Sequence, residues 1–137
     1  MIPLINIGPI GVRTIGIWGM SGVGKTTIAK AIYNEVRSNF EGGSFLAKIK
    51  EVWGHDNGQI RLQQQLLTDV FKANKALIQN VDEGTILLKE RLRHRRVLVV
   101  LDDVDKQDQL KALCGNRNWF QPEIYIILFN CLKFDDT

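Results

Sequence analysis

The stretch "GIWGMSGVGKTTIAKAIYN", residues 16–34, joins an apolar run, a glycine-rich loop and a helical repeat. Ahead of the loop, the β-branched and apolar residues 12–19 ("VRTIGIWG") predict a strand that runs into a turn. Behind it, Ile28, Ile32 and Val36 recur at every fourth position and predict a helix from about residue 25 to about residue 39. A strand, a glycine loop and a helix in this order provide a frame for binding phosphate groups.

The loop matches the phosphate-binding pattern G-x-x-x-x-G-K-[ST]. Glycines at three positions let the backbone curl so that successive N–H groups point inward at phosphate oxygens. Lys25 would reach the β and γ phosphates, and the Thr26 hydroxyl would ligate Mg²⁺. A chance match remains the alternative. The four fixed positions would coincide by chance in on the order of one chain of this size in a hundred. The residues of the motif are Gly19, Met20, Ser21, Gly22, Val23, Gly24, Lys25 and Thr26.

A second motif, "VLVVLDDVD", covers residues 97–105. Residues 97–101 are apolar at every position, which predicts a parallel strand covered on both faces. Asp102 and Asp103 follow directly, at the edge where parallel sheets form their ligand crevice. Asp102 would hold Mg²⁺, and Asp103 would orient or deprotonate an attacking water. An acidic pair after a strand is often only a solvated turn, but the phosphate loop upstream favours the metal site.

The rest of the chain alternates short apolar runs with helical periodicity. The run "SFLAKIK", residues 44–50, predicts a strand after the "EGG" stop at 41–43, with Phe45 and Ile49 on one face and lysines that indicate a sheet edge. A final strand is predicted at 124–129. Three more helices are predicted, one at Leu62, Leu66 and Val70, one at Leu88 and Leu92 with Asp82 as its cap, and one at Leu110, Leu113 and Cys114.

Strands that alternate with helices predict an α/β fold with a parallel sheet between two helical layers. Together with the loop motif, this predicts a three-layer P-loop NTPase domain, incomplete at its C-terminal side. The 137 residues fit one domain, divided into a residual linker at 1–11, a P-loop nucleotide-binding core at 12–131 and an atypical tail at 132–137.

Charge and composition exclude few partners. The chain has 18 Lys and Arg against 15 Asp and Glu, a net charge of +3 that does not require nucleic acid. The basic cluster at 91–96 is interpreted as the solvated, dipole-compensating end of a helix. Cys114 and Cys131 have neither metal-site spacing nor the number that a disulfide framework needs. No apolar run is long enough to span a bilayer, and the start is a poor secretory signal, so a cytoplasmic protein is expected.

Guanine specificity is not expected, because "NKAL" at 74–77 lacks the Asp of the guanine-reading N-K-x-D motif. Beyond the motifs, the stretches 12–52 and 88–120 resemble the NB-ARC domain of plant disease-resistance receptors. The Asp at position 105, after "LDDV", is similar to what the branch of this family with a Toll/interleukin-1-receptor-like domain has at this position. The resemblance implies an intracellular immune switch that holds ADP at rest, exchanges it for ATP and then oligomerises. It also implies that Thr27 joins the phosphate site, that Asp102 is the Mg²⁺ partner and that Asp103 is the catalytic acid.

One strand end departs from this family. After "NWF", members usually have a strand that ends in Thr-Thr-Arg, and the Arg senses the terminal phosphate. The same register here gives Phe129, Asn130 and Cys131. Loss of the guanidinium should weaken discrimination between ATP and ADP.

Three functions therefore stay open. The first is an ADP- or ATP-binding module of an immune receptor, which acts as a nucleotide-dependent switch in defence. The second is an autonomous P-loop ATPase or small-molecule kinase, with at most weak hydrolysis. The third is a truncated decoy that associates with full-length receptors or signalling partners without using nucleotide.

Overall fold

The computed structural model of this chain describes residues 4–6, 14–17, 25–72, 78–92, 95–114 and 124–129. Its strands are β1 (Leu4–Asn6), β2 (Thr14–Ile17), β3 (Gly42–Leu46), β4 (Val97–Asp102) and β5 (Ile124–Phe129). Its α-helices are α1 (Lys25–Val36), α2 (Ile49–Trp53), α3 (Gly58–Phe71), α4 (Val81–Leu92) and α5 (Gln107–Cys114), and a 3₁₀ turn at Arg37–Asn39 follows α1.

The five strands form one sheet in the order β1-β2-β5-β4-β3. The four strands from β2 to β3 are parallel, as predicted, while β1 pairs antiparallel with β2. β1 falls in the segment that the sequence assigns to a linker, and Leu4 lies opposite Ile17. β5, the last of the described strands, inserts between β2 and β4, so its pairing joins the two motif-bearing parts of the sequence.

β4 is the centre of the core, because all six of its residues are buried. Leu98 and Val100 pack with Ala29 of α1 on one face. Val97, Val99 and Leu101 pack with residues of α3, α4 and α5 on the other face. Since successive side chains of a strand point to opposite faces, helices cover both sides of the sheet. The structure therefore confirms the predicted three-layer α/β arrangement.

The second strand differs from its prediction. β3 begins at Gly42, inside the "EGG" segment that was expected to be a stop, and ends at Leu46. Ile49 is buried as the first residue of α2, in the cluster with Leu46, whereas Phe45 packs on the α1 side. Phe45 and Ile49 therefore do not share a face. β3 does lie at the sheet edge, but the lysines that suggested this follow the strand, because the chain turns into α2.

Asp82 is not the cap of α4. Asn80 precedes the helix, and its Oδ1 accepts a hydrogen bond from the Glu83 N–H at 2.8 Å. Asp82 lies inside the first turn, where its charge complements the helix dipole. The predicted helix at this place is otherwise confirmed, with Leu88 and Leu92 buried.

A buried amide joins three helices. Gln63 of α3 is fully buried, and its Nε2 donates to the Val81 carbonyl at 3.1 Å and the Ala112 carbonyl at 2.8 Å, and lies 3.2 Å from Thr85 Oγ1. Its Oε1 has no hydrogen-bond partner among the described residues. Gly84 provides the space for this amide, because a Cβ there would lie 2.0 Å from Oε1.

Replacement of Gly84 by alanine should therefore destabilise the chain, although alanine normally favours a helix. We expect a loss of about 1–3 kcal/mol in the free energy of unfolding, because the methyl group displaces the Gln63 amide from its carbonyl partners. Urea unfolding measures it. Gly54→Ala is the control, since a Cβ there meets only ordinary contacts at 3.7 Å or more. Equal stabilities of the two variants would contradict this account.

Candidate functional site

The carboxyl ends of β2 and β4 lie at the same edge of the sheet. Both strands run parallel to β5, and the register places Asp102 opposite Phe129 and Phe129 opposite Ile17. Asp102 and Ile17 are thus level with each other, two strand spacings or about 10 Å apart. The chain leaves β2 at Ile17 and enters α1 at Lys25. Pairing in the sheet therefore brings the acidic motif beside the start of the predicted phosphate loop.

The phosphate-loop residues themselves are only partly described. Gly19, Met20, Ser21, Gly22, Val23 and Gly24 lie outside the described residues. Lys25 and Thr26 are the first two residues of α1, and Thr27 follows in the same turn with an exposed side chain. The helix thus begins at the lysine of the motif, as the pattern predicts.

Asp102 is a buried carboxylate at the end of β4. Only 6% of its surface is exposed. Its Oδ2 accepts a hydrogen bond from the main-chain N–H of Lys48, at 3.1 Å. A buried carboxylate needs such donors, because burial without them is strongly unfavourable. The structure therefore shows that the turn between β3 and α2 supports this side chain.

Asp103 has an unusual backbone and an unusual environment. Its φ is 67°, in the left-handed region that few non-glycine residues adopt. Its carbonyl accepts a hydrogen bond from the Lys50 N–H at 2.9 Å. Burial raises the pKa of its carboxyl above the ordinary value, and the neighbouring charge of Asp102 raises this pKa further, while Lys50 opposes the shift. A carboxyl with a raised pKa is better suited to accept a proton near neutral pH.

Asp105, two residues after Asp103, is hydrogen-bonded to α5 just before that helix begins. Its Oδ1 accepts a hydrogen bond from Gln109 Nε2 at 2.7 Å, and Gln109 Oε1 accepts one from the Asp105 N–H at 2.9 Å. Gln109 is buried, so this reciprocal pair is held inside the fold. The segment that carries the acidic pair is thereby fixed at both its strand end and its helix end.

Sequence reasoning missed the role of Lys48 and Lys50, because it placed both in a strand. Ile49, Val52 and Trp53 recur at helical spacing, and this pattern could have indicated α2. The hydrogen bonds themselves come from main-chain N–H groups, which have no signature in side-chain pattern.

Arg95 and Arg96 of the basic cluster lie directly before β4, at the amino ends of the strands. The Arg95 guanidinium lies 5.7 Å from the Phe71 ring and 3.6 Å from the Glu41 carboxylate. The Arg96 guanidinium lies 5.0 Å from the Phe40 ring, and its Nε donates to the Asn39 carbonyl at 3.0 Å. These two arginines therefore stabilise the edge at which β3 and β4 begin. Arg93 and His94 lie outside the described residues.

An open groove of about 510 Å³ lies along β3 and contains neither residue of the acidic pair. Its charges are mixed and partly satisfied, since Asp69 already accepts a hydrogen bond from Ser44 Oγ at 2.7 Å. The groove is lined by Tyr33, Arg37, Gly43, Phe45, Thr68, Asp69 and Lys72. The carboxyl edge of the sheet therefore stays the candidate site.

The donors at this edge suit a hard cation bound together with phosphate. Within the described ranges, no group of three or more His, Cys, Asp or Glu side chains is arranged to hold a metal ion. Mg²⁺ usually keeps several waters and takes only one or two carboxylates besides substrate phosphates, so a single buried aspartate fits it. The same ranges contain no helix that is long and apolar enough to cross a membrane.

Comparison with known proteins agrees with the resemblance seen in the sequence. The NB-ARC domain family matches residues 5–128. TMV resistance protein N of Nicotiana glutinosa is 43% identical over 124 residues, which are 85% of this chain and 10% of that protein. Disease resistance protein RUN1 of Vitis rotundifolia is 42% identical over 120 residues, 87% of this chain and 9% of that protein.

A third relative, probable disease resistance protein RPP1 of Arabidopsis thaliana, is 36% identical over 122 residues, 85% of this chain and 10% of that protein. The chain thus spans about a tenth of the length of the curated relatives that it matches.

The raised pKa of Asp103 makes a prediction about stability. A folded-state pKa above the unfolded value of 3.8 means that stability falls as the pH rises from 3.8 through the raised pKa. Asp103→Asn removes the charge, and asparagine tolerates the left-handed backbone. We expect the variant to be more stable than the parent chain at pH 7, with a difference that shrinks as the pH approaches 3.8.

Thermal unfolding between pH 7 and pH 4.5 measures this difference. Asp56→Asn, at an exposed position outside the acidic pair, is the control and should change the unfolding temperature little. A stability gain for Asp103→Asn that is the same at every pH would refute the electrostatic explanation.

Proposed function

Since the chain belongs to the NB-ARC domain family, we propose that it binds an adenine nucleotide, ADP or ATP, with Mg²⁺ and serves as the nucleotide-dependent switch module of a plant immune receptor. The observation that supports this most directly is the register across β5. It brings the buried Asp102 level with the end of β2, from which the predicted phosphate loop leaves. Phosphate and metal would therefore meet at one edge of the sheet.

The phosphate groups would bind to the main-chain N–H groups of the loop and to the start of α1. Lys25 supplies a positive charge for the β and γ phosphates, and Thr26 and Thr27 supply hydroxyl groups. Because α1 begins at Lys25, its unpaired N–H groups and positive dipole end lie where the phosphates are expected.

Mg²⁺ would be held by the Thr26 hydroxyl and by Asp102, directly or through water. The ion neutralises phosphate charge when it is bound. Asp102 contributes a carboxylate that is already oriented by the Lys48 N–H. Asp103 contributes a second carboxyl whose raised pKa suits it to take a proton from a water molecule.

Slow ATP hydrolysis is a second candidate activity, and the environment of Asp103 favours it. We expect a low rate of ATP hydrolysis, because Cys131, just after the end of β5, replaces the phosphate-sensing arginine of the family. Without that guanidinium, the chain would hold ADP and ATP with similar affinity. The domain would therefore bind a nucleotide better than it distinguishes or hydrolyses one.

The family and the relatives named above support a proposal about the wider setting. We place the protein in the cytoplasm, in the branch with a Toll/interleukin-1-receptor-like domain, with full-length receptors or signalling proteins as its partners. An association with receptors that is unaffected by loss of nucleotide binding would instead support the function of an interaction fragment.

Lys25→Ala should lower the affinity for ADP and ATP by about 10- to 100-fold, because a hydrogen bond to a charged group is lost. Isothermal titration calorimetry in Mg²⁺ measures it. Lys30→Ala removes the same charge from the exposed side of the same helix and should bind as the parent chain does. Absence of any nucleotide binding by the parent chain would contradict the proposed function.

Asp103→Asn should abolish whatever steady phosphate release the parent chain shows, since an amide cannot accept the proton. Nucleotide affinity should change little, because the residue is placed at the water and not at the phosphates. Release of phosphate from ATP is followed with Lys25→Ala as the background. Turnover by Asp103→Asn at the parental rate would exclude Asp103 as the base.

A further inference from the structure

Two main-chain hydrogen bonds tie the turn between β3 and α2 to the acidic pair. The Lys48 N–H donates to Asp102 Oδ2 at 3.1 Å. Two residues later, the Lys50 N–H donates to the Asp103 carbonyl at 2.9 Å. The turn therefore contacts both members of the pair, one through a side chain and the other through the backbone.

The conformation of Lys48 makes both contacts possible. Its φ is 55° and its ψ is 45°, so it adopts the left-handed conformation at the position before α2. Ile49, the next residue, has no exposed surface and anchors the helix in the core. With Ile49 fixed, a change of the backbone at Lys48 must break one of the two hydrogen bonds. Most L-residues disfavour this conformation, and strain of this kind is concentrated at functional sites.

We propose that Lys48 is a positioning residue, whose left-handed backbone directs its N–H at Asp102 and so orients the carboxylate for the Mg²⁺ that accompanies the nucleotide. This inference rests on the proposed function. A donor fixed on one carboxylate oxygen sets the plane of the whole group, and with it the direction of the lone pairs that a metal or its water would meet. Partners of this kind outside the metal's own ligands typically change metal affinity by about 10- to 100-fold.

The ammonium group of Lys48 is a different explanation for any effect of this residue. The side chain is exposed, while the contact to Asp102 is made by the main chain. The two explanations separate in Lys48→Gly, which removes the ammonium group but keeps the N–H and adopts the left-handed conformation easily. Lys48→Val removes the same charge but strongly disfavours that conformation, because valine is β-branched.

Asn57 offers a matched control for strain alone. Its φ is 58°, it lies at the start of α3, and it is exposed in the turn that follows α2. Asn57→Val introduces the same β-branched side chain at the same type of backbone conformation. In the interactions described above, Asn57 contacts neither Asp102 nor Asp103. Any general loss of stability should therefore resemble that of Lys48→Val.

The experiment measures ADP affinity of the full chain by calorimetry, once with Mg²⁺ and once with EDTA. The ratio of the two affinities reports the metal contribution. We expect Lys48→Val to lower this ratio by about 10-fold or more while the EDTA affinity stays as in the parent chain. Lys48→Gly and Asn57→Val should both keep the parental ratio. Asp102→Asn should abolish the metal contribution and sets the lower limit.

If Lys48→Val keeps the parental ratio, the positioning role is overturned while nucleotide binding stays intact. A lowered ratio in Lys48→Gly would also overturn the positioning role, because it would assign the effect to the ammonium group. If the parent chain binds no ADP in either buffer, the proposed function fails instead. Should Lys48→Val not fold, hydrogen exchange of the Lys48 amide decides. Protection that persists in Asp102→Ala would contradict the contact, and its loss would support it.

Discussion

The structure depends on a strand that is buried at every position and ends in a carboxylate. β4 lies between β3 and β5 with helices on both faces, so burial of its apolar residues stabilises the whole sheet. The same burial extends to Asp102, where a charged group at the end of a dry strand is unfavourable unless it is hydrogen-bonded. The turn after β3 supplies that hydrogen bond. The core and the candidate site are therefore not separate parts of this fold, since the strand that builds one also carries the other.

The acidic residues at the carboxyl end of β4 repel one another when no cation is bound. Asp102 and Asp103 carry like charges, Asp105 adds to the field, and two residues of the region adopt left-handed backbones. Strained backbone and repelling charges are concentrated where function requires them. A bound cation would relieve the repulsion between these carboxylates, so binding of Mg²⁺ and stability of the fold would be coupled. Such coupling is what a nucleotide-dependent switch needs, because the ligand must change the free energy of one state more than that of another.

Membership of the NB-ARC family places this edge in a larger context. The chain corresponds to about a tenth of the length of the disease-resistance proteins that it resembles. One departure that we expect from the family resemblance lies at the end of β5. Phe129 lies level with Asp102, and the phosphate-sensing arginine expected two residues later is a cysteine. The aspartate that we propose for Mg²⁺ is thus present in this sequence, whereas the arginine that the family resemblance leads us to expect is absent.

The amino-acid sequence by itself determined the class of fold, the strand β4, the helices α1, α3, α4 and α5, and the identity of the acidic pair. These features follow from local periodicity and from a motif whose residues are adjacent in the chain. It misplaced β3 and missed α2, because "SFLAKIK" has apolar residues that satisfy a strand pattern although Ile49 belongs to a helix. Only the tertiary structure decided that β5 inserts between β2 and β4, and that Lys48 and Lys50 hold Asp102 and Asp103. The reason is physical: both depend on hydrogen bonds donated by main-chain N–H groups to residues far away in the chain, and these N–H groups are the same in every residue but proline.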